Sequence, residues 1–380
     1  MKSILKIISL FAIICFSSIN IGAVTADDVL SALKQRVAPD KRTAIWDVQT
    51  ISQNGIVNII GKVGTQSQKD EISKELTANG ITNFANNLIV LENTLPENNR
   101  WALVKLAIAT LRCEGSHSAE VATQAIMGTP VKVVEQDDDW CRIVTPDDYI
   151  SYVPASSLIF RSAEQMDQWR AAKRYIVTVY GSRLVVEPNS DETVTDLVLG
   201  CILEYKGTSG KWLKLSTPDG RLGYIEKSEV QDLDIWKQQT FDASKIEKTA
   251  KRMLGSGYLW GGTTTKVTDC SGLAKVSYFS NGIILQRDAS QQALTGKKFN
   301  DWHEAQLGDL LFFGNSTTGR VTHVGIYLRD GKYIHCSGQV KINSLDPDAP
   351  DYLYSTLSIS RINGEIGTKG ITSVANHPWY

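Results

Sequence analysis

The chain has 380 residues, a length that predicts two or three domains rather than one core. Its 40 Lys and Arg residues almost balance its 41 Asp and Glu residues, so the formal net charge is -1. This balance excludes the basic surface of a nucleic-acid-binding protein and the polybasic segment of a protein bound to a membrane surface. We therefore expect a small or neutral binding partner.

The N-terminus has the pattern of a secretory signal peptide. Two lysines precede an apolar run at residues 7–16, and small and polar residues follow as far as Ala23 and Ala26. The apolar run is too short for a membrane span. The pattern Val24-Thr25-Ala26 favours cleavage after Ala26, so residues 1–26 would form the signal peptide. We expect an exported protein, in the periplasm or outside the cell, with no stable membrane insertion.

Five cysteines remain after this cleavage: Cys113, Cys141, Cys201, Cys270 and Cys336. An odd number leaves at least one thiol free, although Cys113 and Cys141 could pair. No two cysteines have the CxxC spacing of a structural zinc site. We expect no metal and no cofactor.

Residues 27–98 predict a small β-β-α-β domain. The pattern consists of strands at 45–51 and 56–63, a helix at 67–78 and a strand at 84–91. Asn54-Gly55, between the first two strands, is a strong signal for a two-residue hairpin turn. The pattern resembles the BON-like domains of exported bacterial proteins. Because the segment contains no motif of catalytic or ligand-binding residues, we interpret it as a docking or stabilising module.

An internal repeat covers the next part of the chain. At a constant spacing of 72 residues, Gly128, Trp140, Thr145, Pro146, Asp147, Tyr152 and Ser156 recur as Gly200, Trp212, Thr217, Pro218, Asp219, Tyr224 and Ser228. Short strands, a core tryptophan and a Thr-Pro-Asp turn predict a small β-barrel for each copy. The copies resemble bacterial SH3-like domains, at 101–160 and 175–235, joined by a connecting helix at 161–174 that begins with a capping box at Ser162.

Comparison of the two copies distinguishes residues that the shared fold requires from residues that are specific to one copy. Tyr149 stands where the second copy has Arg221, so the fold does not require its ring. Tyr149 is therefore a candidate for a special contact. Glu120 corresponds to Glu192, and a surface or turn role is its alternative.

Cys270 stands at the predicted start of a helix within the last domain, residues 236–380. Asp269 suits the N-cap position, and apolar residues follow with a helical period as far as Asn281-Gly282. Unpaired N–H groups and the helix dipole at this end favour the thiolate. Cys270 is thus a candidate nucleophile, with a buried structural cysteine as the alternative.

A thiolate needs a base, and two histidines lie in strand-like sequence on either side of Asp330-Gly331. A two-residue turn there would place His335 opposite Ile326, on the face away from His323. A three-residue loop that includes Arg329 would place His335 opposite Gly325 and on the same face as His323. We favour the second register because Gly325 leaves room for the ring.

Two other interpretations of these residues remain. The histidines could be ordinary strand residues, or Cys270, His323, His335 and Cys336 could bind a metal. A cysteine at a helix start serves more naturally as a nucleophile than as one of four converging ligands. Cys336 should alternate to the face opposite His335 and be buried.

The motifs in this region resemble those of the NlpC-type family of bacterial cell-wall cysteine peptidases. In the order that the family requires, they are Tyr258-Leu259-Trp260-Gly261-Gly262, Asp269-Cys270-Ser271-Gly272-Leu273, Arg287-Asp288 with Gln292, Gly308-Asp309-Leu310-Leu311-Phe312-Phe313, His323-Val324-Gly325-Ile326-Tyr327 and Tyr333-Ile334-His335-Cys336-Ser337-Gly338. The resemblance implies an α+β papain-like catalytic domain within a multidomain chain. It also implies hydrolysis of peptidoglycan stem peptides, usually between γ-D-glutamate and a diamino acid.

The resemblance assigns roles to individual residues. Cys270 would be the nucleophile, His323 the base and His335 the orienting residue. The residues that would shape the substrate pocket are Tyr258, Asp269 and Ser271. Two barrels ahead of the enzyme further resemble members that act on small peptides with a free N-terminal L-alanine, whose amine Tyr149 and Glu120 would meet.

Two rival functions belong to other classes. One is a wall-binding protein with an inactive catalytic fold, against which the intact Cys270 and His323 argue. The other is a thiol-dependent acyltransferase of the same fold, which export and paired barrels disfavour. Our expectation is a monomeric γ-D-glutamyl-L-diamino acid endopeptidase that binds stem peptides and no nucleic acid.

Overall fold

A computed structural model describes residues 24–380 of the protein. No helix within these residues combines the length and the apolar character needed to cross a bilayer. The predicted signal peptide lies outside the described residues except for Val24, Thr25 and Ala26. Thr25 caps the first helix, accepting a hydrogen bond from the Asp28 N–H at 3.2 Å. Cleavage after Ala26 would remove this cap, whereas cleavage after Ala23 would keep it.

The N-terminal domain contains one more helix than the β-β-α-β prediction. Its elements are α1 (Ala26–Val37), β1 (Trp46–Gln53), β2 (Ile56–Val63), α2 (Gln66–Ala78), β3 (Phe84–Asn86) and β4 (Ile89–Val90). The hairpin prediction is confirmed, because Asn54 and Gly55 both have positive φ and Gln53 pairs with Ile56. The predicted third strand is instead two short strands, and both pair with β2 in parallel. The added helix α1 packs its buried Leu33 into the core beneath the sheet.

Two seven-stranded sheets follow, and they have the same topology. The first repeat consists of β5 (Trp101–Val104), β6 (Ile108–Arg112), β7 (Val121–Ile126), β8 (Pro130–Gln136), β9 (Trp140–Val144), β10 (Ile150–Pro154) and β11 (Leu158–Arg161). The second repeat consists of β12 (Arg174–Val177), β13 (Gly181–Val185), β14 (Thr193–Val198), β15 (Ile202–Ser209), β16 (Trp212–Ser216), β17 (Leu222–Glu226) and β18 (Val230–Asp232). The strand orders, β11-β5-β8-β9-β10-β6-β7 and β18-β12-β15-β16-β17-β13-β14, correspond strand for strand. The internal repeat in the sequence is therefore a repeat of structure.

The repeated residues hold turns and contacts in both copies. The Thr145 hydroxyl donates to Asp147 Oδ1 at 2.7 Å, and the Thr217 hydroxyl donates to Asp219 Oδ1 at 2.6 Å. Trp140 is buried, as the prediction of a core tryptophan requires. It packs against His117 at 5.0 Å between ring centroids, whereas the next residue, Cys141, belongs to the main cluster of the first repeat. Trp212 of the second repeat is only partly buried, so the prediction holds for the first copy alone.

The connecting helix α3 (Ala163–Ala171) begins at the predicted capping box but ends before the predicted 174, because Arg174 already belongs to β12. Its Met166 and Trp169 lie in a buried cluster that also contains Leu103 of the first repeat and Ile202 of the second. Ile284 and Val374 of the C-terminal domain complete this cluster. One apolar core thus joins the two repeats to the C-terminal domain.

The C-terminal domain packs helices against a six-stranded antiparallel sheet. Its helices are α4 (Leu233–Trp236), α5 (Ala243–Lys251), α6 (Cys270–Phe279) and α7 (Ala289–Gln292). The sheet, in the order β20-β25-β21-β22-β23-β24, contains β20 (Lys297–Phe299), β21 (Leu310–Asn315), β22 (Arg320–Tyr327), β23 (Lys332–Ser337), β24 (Gln339–Ser344) and β25 (Ser358–Arg361), and a separate pair joins β19 (Ile283–Leu285) to β26 (Ile371–Ser373). The helix α6 packs on β22 and β23, so that its first residue lies beside the sheet.

Replacing Leu33 by Ala tests the packing of α1. Leu33 is 1% exposed, so the change should destabilise the N-terminal domain by about 2–5 kcal/mol. Hydrogen exchange of the domain's amides measures the loss. The exposed neighbour Lys34 replaced by Ala is the matched control, and equal exchange in both variants would contradict a packed α1.

Candidate active site

Cys270 is the first residue of α6, as the sequence predicts. Asp269 is its N-cap, and its Oδ1 accepts the Gly272 N–H at 2.7 Å. The apolar face of the helix, with Leu273 and Ala274, is fully buried against the sheet. This packing fixes the helix end, and with it the position of the thiol, which is 9% exposed.

A buried ion pair holds the cap in place. Arg287, 1% exposed, donates from Nη2 to Asp269 Oδ2 at 2.6 Å and from Nη1 to the Ser271 hydroxyl at 2.8 Å. Its Nε donates to the hydroxyl of Thr123, in the first repeat, at 2.9 Å. The Gly261 N–H reaches the same carboxylate at 3.0 Å. Asp269 and Ser271 therefore belong to a buried network under the thiol, and direct contact of either with substrate stays a prediction.

The protonation state of Cys270 differs from the sequence expectation. Burial raises the pKa of the thiol to about 11, and the neighbouring Asp269 carboxylate adds to the rise. The backbone N–H groups of Val324 and Ser271 lower the pKa but do not offset these effects. The expectation that the helix start favours the thiolate is therefore wrong for the free protein, because desolvation penalises the charge more than the helix start stabilises it.

The two histidines lie together as the loop argument predicts. His335 pairs with Gly325, and the loop places Asp330 and Gly331 at φ of 53° and 69°. The His323 Nε2 and His335 Nδ1 atoms are 2.7 Å apart, with the rings nearly perpendicular. Since the Val324 N–H contacts the Cys270 thiol, this part of β22 lies next to the start of α6.

Asn343 extends this arrangement and determines which ring nitrogens carry protons. Its Nδ2 donates to the Asp351 carbonyl at 2.6 Å, so its Oδ1 is the atom that faces His335 Nε2 at 2.9 Å. His335 must then donate from Nε2 and accept at Nδ1. His323 in turn donates from Nε2, which leaves its Nδ1 as a lone pair free to take a proton.

Sequence reasoning missed Asn343, although the signal was present. The strands β23 and β24 pair Ser337 with Gln339 around Gly338, which places Lys341 opposite His335. Asn343 is two residues further along and so shares the face of His335. The register argument that placed the histidines would have found it in the next hairpin.

Burial keeps both histidines neutral. It lowers the pKa of His323 to about 3, with a smaller contribution from His335, and lowers the pKa of His335 to about 4. Cys270 and His323 are therefore both neutral in the free protein, and we call these two residues the neutral pair. The base is available at neutral pH.

The other predicted pocket residues lie at different distances from this centre. Partial burial is the main cause that raises the pKa of Tyr258, and the nearby Cys270 is the second cause. The ring, 37% exposed, therefore lies near the thiol. The Tyr149 hydroxyl donates to Asp288 Oδ2 at 3.1 Å, so the first repeat reaches the Arg287-Asp288 motif. Glu120 is exposed, and its side chain makes no hydrogen bond among residues 24–380. Its role stays a prediction.

Five cysteines lie within residues 24–380, and each has a free thiol. Cys113 is exposed and Cys141 is buried, so the pairing that the sequence left open does not occur. Cys336 is buried in the core, as its place on the strand predicts.

Comparison with known sequences identifies two regions of the chain. The profile of the NlpC/P60 family matches residues 255–359. The profile of the bacterial dipeptidyl-peptidase Sh3 domain matches residues 111–158, within the first repeat.

Among similar characterised proteins, dipeptidyl-peptidase 6 of Lysinibacillus sphaericus is 28% identical over 66% of this chain and 94% of its own length. A γ-D-glutamyl-L-lysine dipeptidyl-peptidase of Bacillus cereus is 27% identical over 58% of this chain and 68% of its own. The crystal structure of an NlpC/P60 family protein from Bacillus cereus aligns with a TM-score of 0.58 at 22% identity, covering 69% of this chain and 99% of that one. An NlpC/P60 endopeptidase from Photobacterium damselae subsp. piscicida aligns with a TM-score of 0.53 at 18% identity, covering 75% and 76%. These structures establish the likeness of fold.

Replacing Asn343 by Ala should lower kcat with little change in KM, because His335 loses the partner that fixes its tautomer. We expect a fall of about 10- to 100-fold, smaller than the roughly 10⁴-fold loss when a triad holds the wrong tautomer. Steady-state kinetics on a stem peptide measure the change. Replacement of the exposed Gln339, on the same strand, by Ala is the control, and an unchanged kcat in the Asn343 variant would refute the orienting role.

The lowered pKa values of the histidines predict activity in acid. The base must be neutral, and a pKa of about 3 for His323 keeps it so until the pH approaches that value. Between pH 7 and 5 we expect kcat/KM to change little, whereas a base with the ordinary pKa of about 6.5 would lose about 25-fold. A pH profile of kcat/KM distinguishes the two pKa values of the base. A fall in kcat/KM centred near pH 6.5 would contradict the neutral pair.

Proposed function

Because this chain carries an NlpC/P60 domain at residues 255–359 and a bacterial dipeptidyl-peptidase Sh3 domain at residues 111–158, we propose that it is a cysteine endopeptidase of peptidoglycan stem peptides. The bond that it hydrolyses lies between γ-D-glutamate and an L-diamino acid. One observation carries the proposal: the Cys270 thiol at a helix start contacts the N–H of Val324, and the preceding residue, His323, has its protons ordered by His335 and Asn343. The name of the Bacillus cereus relative, a γ-D-glutamyl-L-lysine dipeptidyl-peptidase, supports this bond, and the name of the Lysinibacillus relative, dipeptidyl-peptidase 6, supports a peptidase.

The mechanism begins from the neutral pair. As the Cys270 sulfur attacks the amide carbonyl, its proton passes to the free Nδ1 of His323. The new imidazolium donates from Nε2 to His335, whose Nδ1 accepts, so the charge is stabilised as it forms. Cys270 is the first residue of α6, and no helical carbonyl accepts its N–H, so this donor can bind the developing oxyanion.

The leaving amine then takes the proton from His323, and the γ-D-glutamyl group remains on Cys270 as a thioester. Water attacks this thioester while His323 accepts the water's proton. Return of that proton to the sulfur restores the thiol and releases the peptide as a carboxylate. Each step uses the same nitrogen of His323, which explains why its tautomer must be fixed.

Substrate binding is the part of the proposal that uses the first repeat. Tyr258 lies near the thiol, and Tyr149 joins Asp288 at 3.1 Å across the boundary between the first repeat and the C-terminal domain. A carboxylate with a neighbouring hydroxyl suits an ammonium group. We place the free amine of the N-terminal L-alanine there, with Glu120 as a more distant acidic residue and with Asp269 and Ser271 beneath the reacting bond.

The domain layout follows from the same proposal. The second repeat has the strand order of the first, so we assign it as a second SH3-like barrel, at 175–235 after the first at 101–160. We assign residues 27–98 to a BON-like domain, 162–173 to the connection between the barrels and 236–380 to the papain-like catalytic domain. Export by the segment 1–26 would deliver the protein, as a monomer, to the periplasm or the cell exterior.

Incubation with L-Ala-γ-D-Glu-L-Lys and with its diaminopimelate counterpart tests the activity. The wild type should release the free diamino acid, and Cys270→Ala should lose at least roughly 10³-fold in kcat because the nucleophile is gone. Mass spectrometry of the products measures both. Cys113→Ser, which removes an exposed thiol instead, is the matched control. A wild type that releases no diamino acid from any stem peptide, or a Cys270→Ala variant with full activity, would refute the proposal.

A further inference from the structure

Arg42 of the N-terminal domain reaches the residues at which we place the substrate's amine. Its Nη1 donates to Asp288 Oδ2 at 2.8 Å and to the Ser290 hydroxyl at 3.1 Å. The same Asp288 oxygen accepts the Tyr149 hydroxyl. Residues of three domains thus meet at one carboxylate.

The segment that carries Arg42 is held from several sides. Asp40 binds the guanidinium through two parallel hydrogen bonds of 2.8 Å, to Nε and Nη2. Gln291 of α7 donates to Asp40 Oδ2 at 3.0 Å, and the Ile150 N–H of the first repeat donates to the Arg42 carbonyl at 2.7 Å. The segment therefore spans from the first repeat to the C-terminal domain.

An apolar contact lies behind this segment. Ile45 and Leu91 of the N-terminal domain pack against Val134 of the first repeat, and all three are buried. Arg142 of the first repeat pairs with Asp47 at 3.0 Å beside them. The position of Arg42 thus depends on the docking of a whole domain, unlike that of an isolated surface side chain.

The charged groups of this segment are accessible. Asp40 and Asp288 supply two negative charges, which Arg42 and the neighbouring Lys41 balance with two positive charges. Arg42 and Asp288 are partly exposed, at 34% and 28% of their side chains, so a ligand can approach them. A ligand's ammonium group can therefore reach Asp288, which Arg42 borders on the side of the N-terminal domain.

We propose that Asp40 and Arg42 form an end wall of the cleft, and that Arg42 is a specificity-determining residue. This inference rests on the proposed function. The wall admits a stem peptide that ends at its L-alanine amine and rejects one that continues further. The N-terminal domain thereby takes part in substrate selection, a role that the sequence pattern of a docking module did not indicate.

Three peptides distinguish the effect of peptide length from the effect of the amine's charge. They are L-Ala-γ-D-Glu-L-Lys, the same peptide extended by an N-terminal Gly, and N-acetyl-L-Ala-γ-D-Glu-L-Lys. The Gly extension keeps an amine but moves it outward, and acetylation removes the charge. The wild type should favour the unextended peptide over the extended one by about 100-fold in kcat/KM. In Arg42→Ala the ratio of kcat/KM between the unextended and the Gly-extended peptide should be about 10-fold smaller, mainly because KM for the extended peptide falls. The kcat/KM for the Gly-extended peptide should rise more than the kcat/KM for the acetylated peptide.

Two further variants make the result specific. Arg36→Ala removes an arginine of the same domain whose partners, Glu71 and Glu75, lie away from the cleft, and should leave the ratio unchanged. Asp40→Asn removes the ion pair that aligns Arg42 and should narrow the ratio as well. The Asp40→Asn variant also tests the end wall if Arg42→Ala fails to fold. Thermal denaturation shows whether each variant is folded.

The outcomes distinguish this inference from the function on which it rests. A folded Arg42→Ala with the wild-type ratio, or a wild type that cleaves the extended peptide equally well, overturns the end wall while the peptidase activity stands. A wild type that cleaves none of the three peptides overturns both.

Discussion

The buried ion pair between Arg287 and Asp269 is the contact on which the geometry of the cleft depends. Removing one partner of such a pair costs about 3–5 kcal/mol, because the other charge is left without compensation. Here the carboxylate also caps α6, and the guanidinium also binds Thr123 of the first repeat. The position of Cys270 is therefore coupled to the packing of a different domain. This coupling gives a physical reason for the first repeat to accompany the catalytic domain.

The neutral state of the thiol and the histidines follows from the same burial. A helix start stabilises a thiolate only to the extent that its N–H groups and dipole exceed the loss of hydration. At Cys270 the loss of hydration is larger, and Asp269, which organises the helix start, adds a repulsive charge. Cys270 then has to pass its proton to His323 before or during its attack on the substrate. An ordered chain from His323 through His335 to Asn343 suits this requirement, because it fixes the accepting lone pair before the substrate arrives.

Sequence reasoning reached the features that depend on local periodicity. The Asn54-Gly55 turn, the start of α6 and the register that pairs His335 with Gly325 each follow from a pattern of neighbouring residues. It failed where distant segments meet. Arg42 and Asp288 are 246 residues apart, and no periodicity links them. The prediction of a lowered thiol pKa was wrong for a related reason, because the burial of Cys270 is produced by the whole fold.

The protonated resting state of Cys270 has a consequence for the chemical durability of the protein. Peroxides and disulfides react with the thiolate, and the thiol is nearly inert toward them. A thiol with a pKa of about 11 presents almost none of the reactive form at neutral pH. Burial of Cys270, which is 9% exposed, and its raised pKa together disfavour its oxidation in the free protein, and burial raises the pKa of the more exposed Cys113 as well.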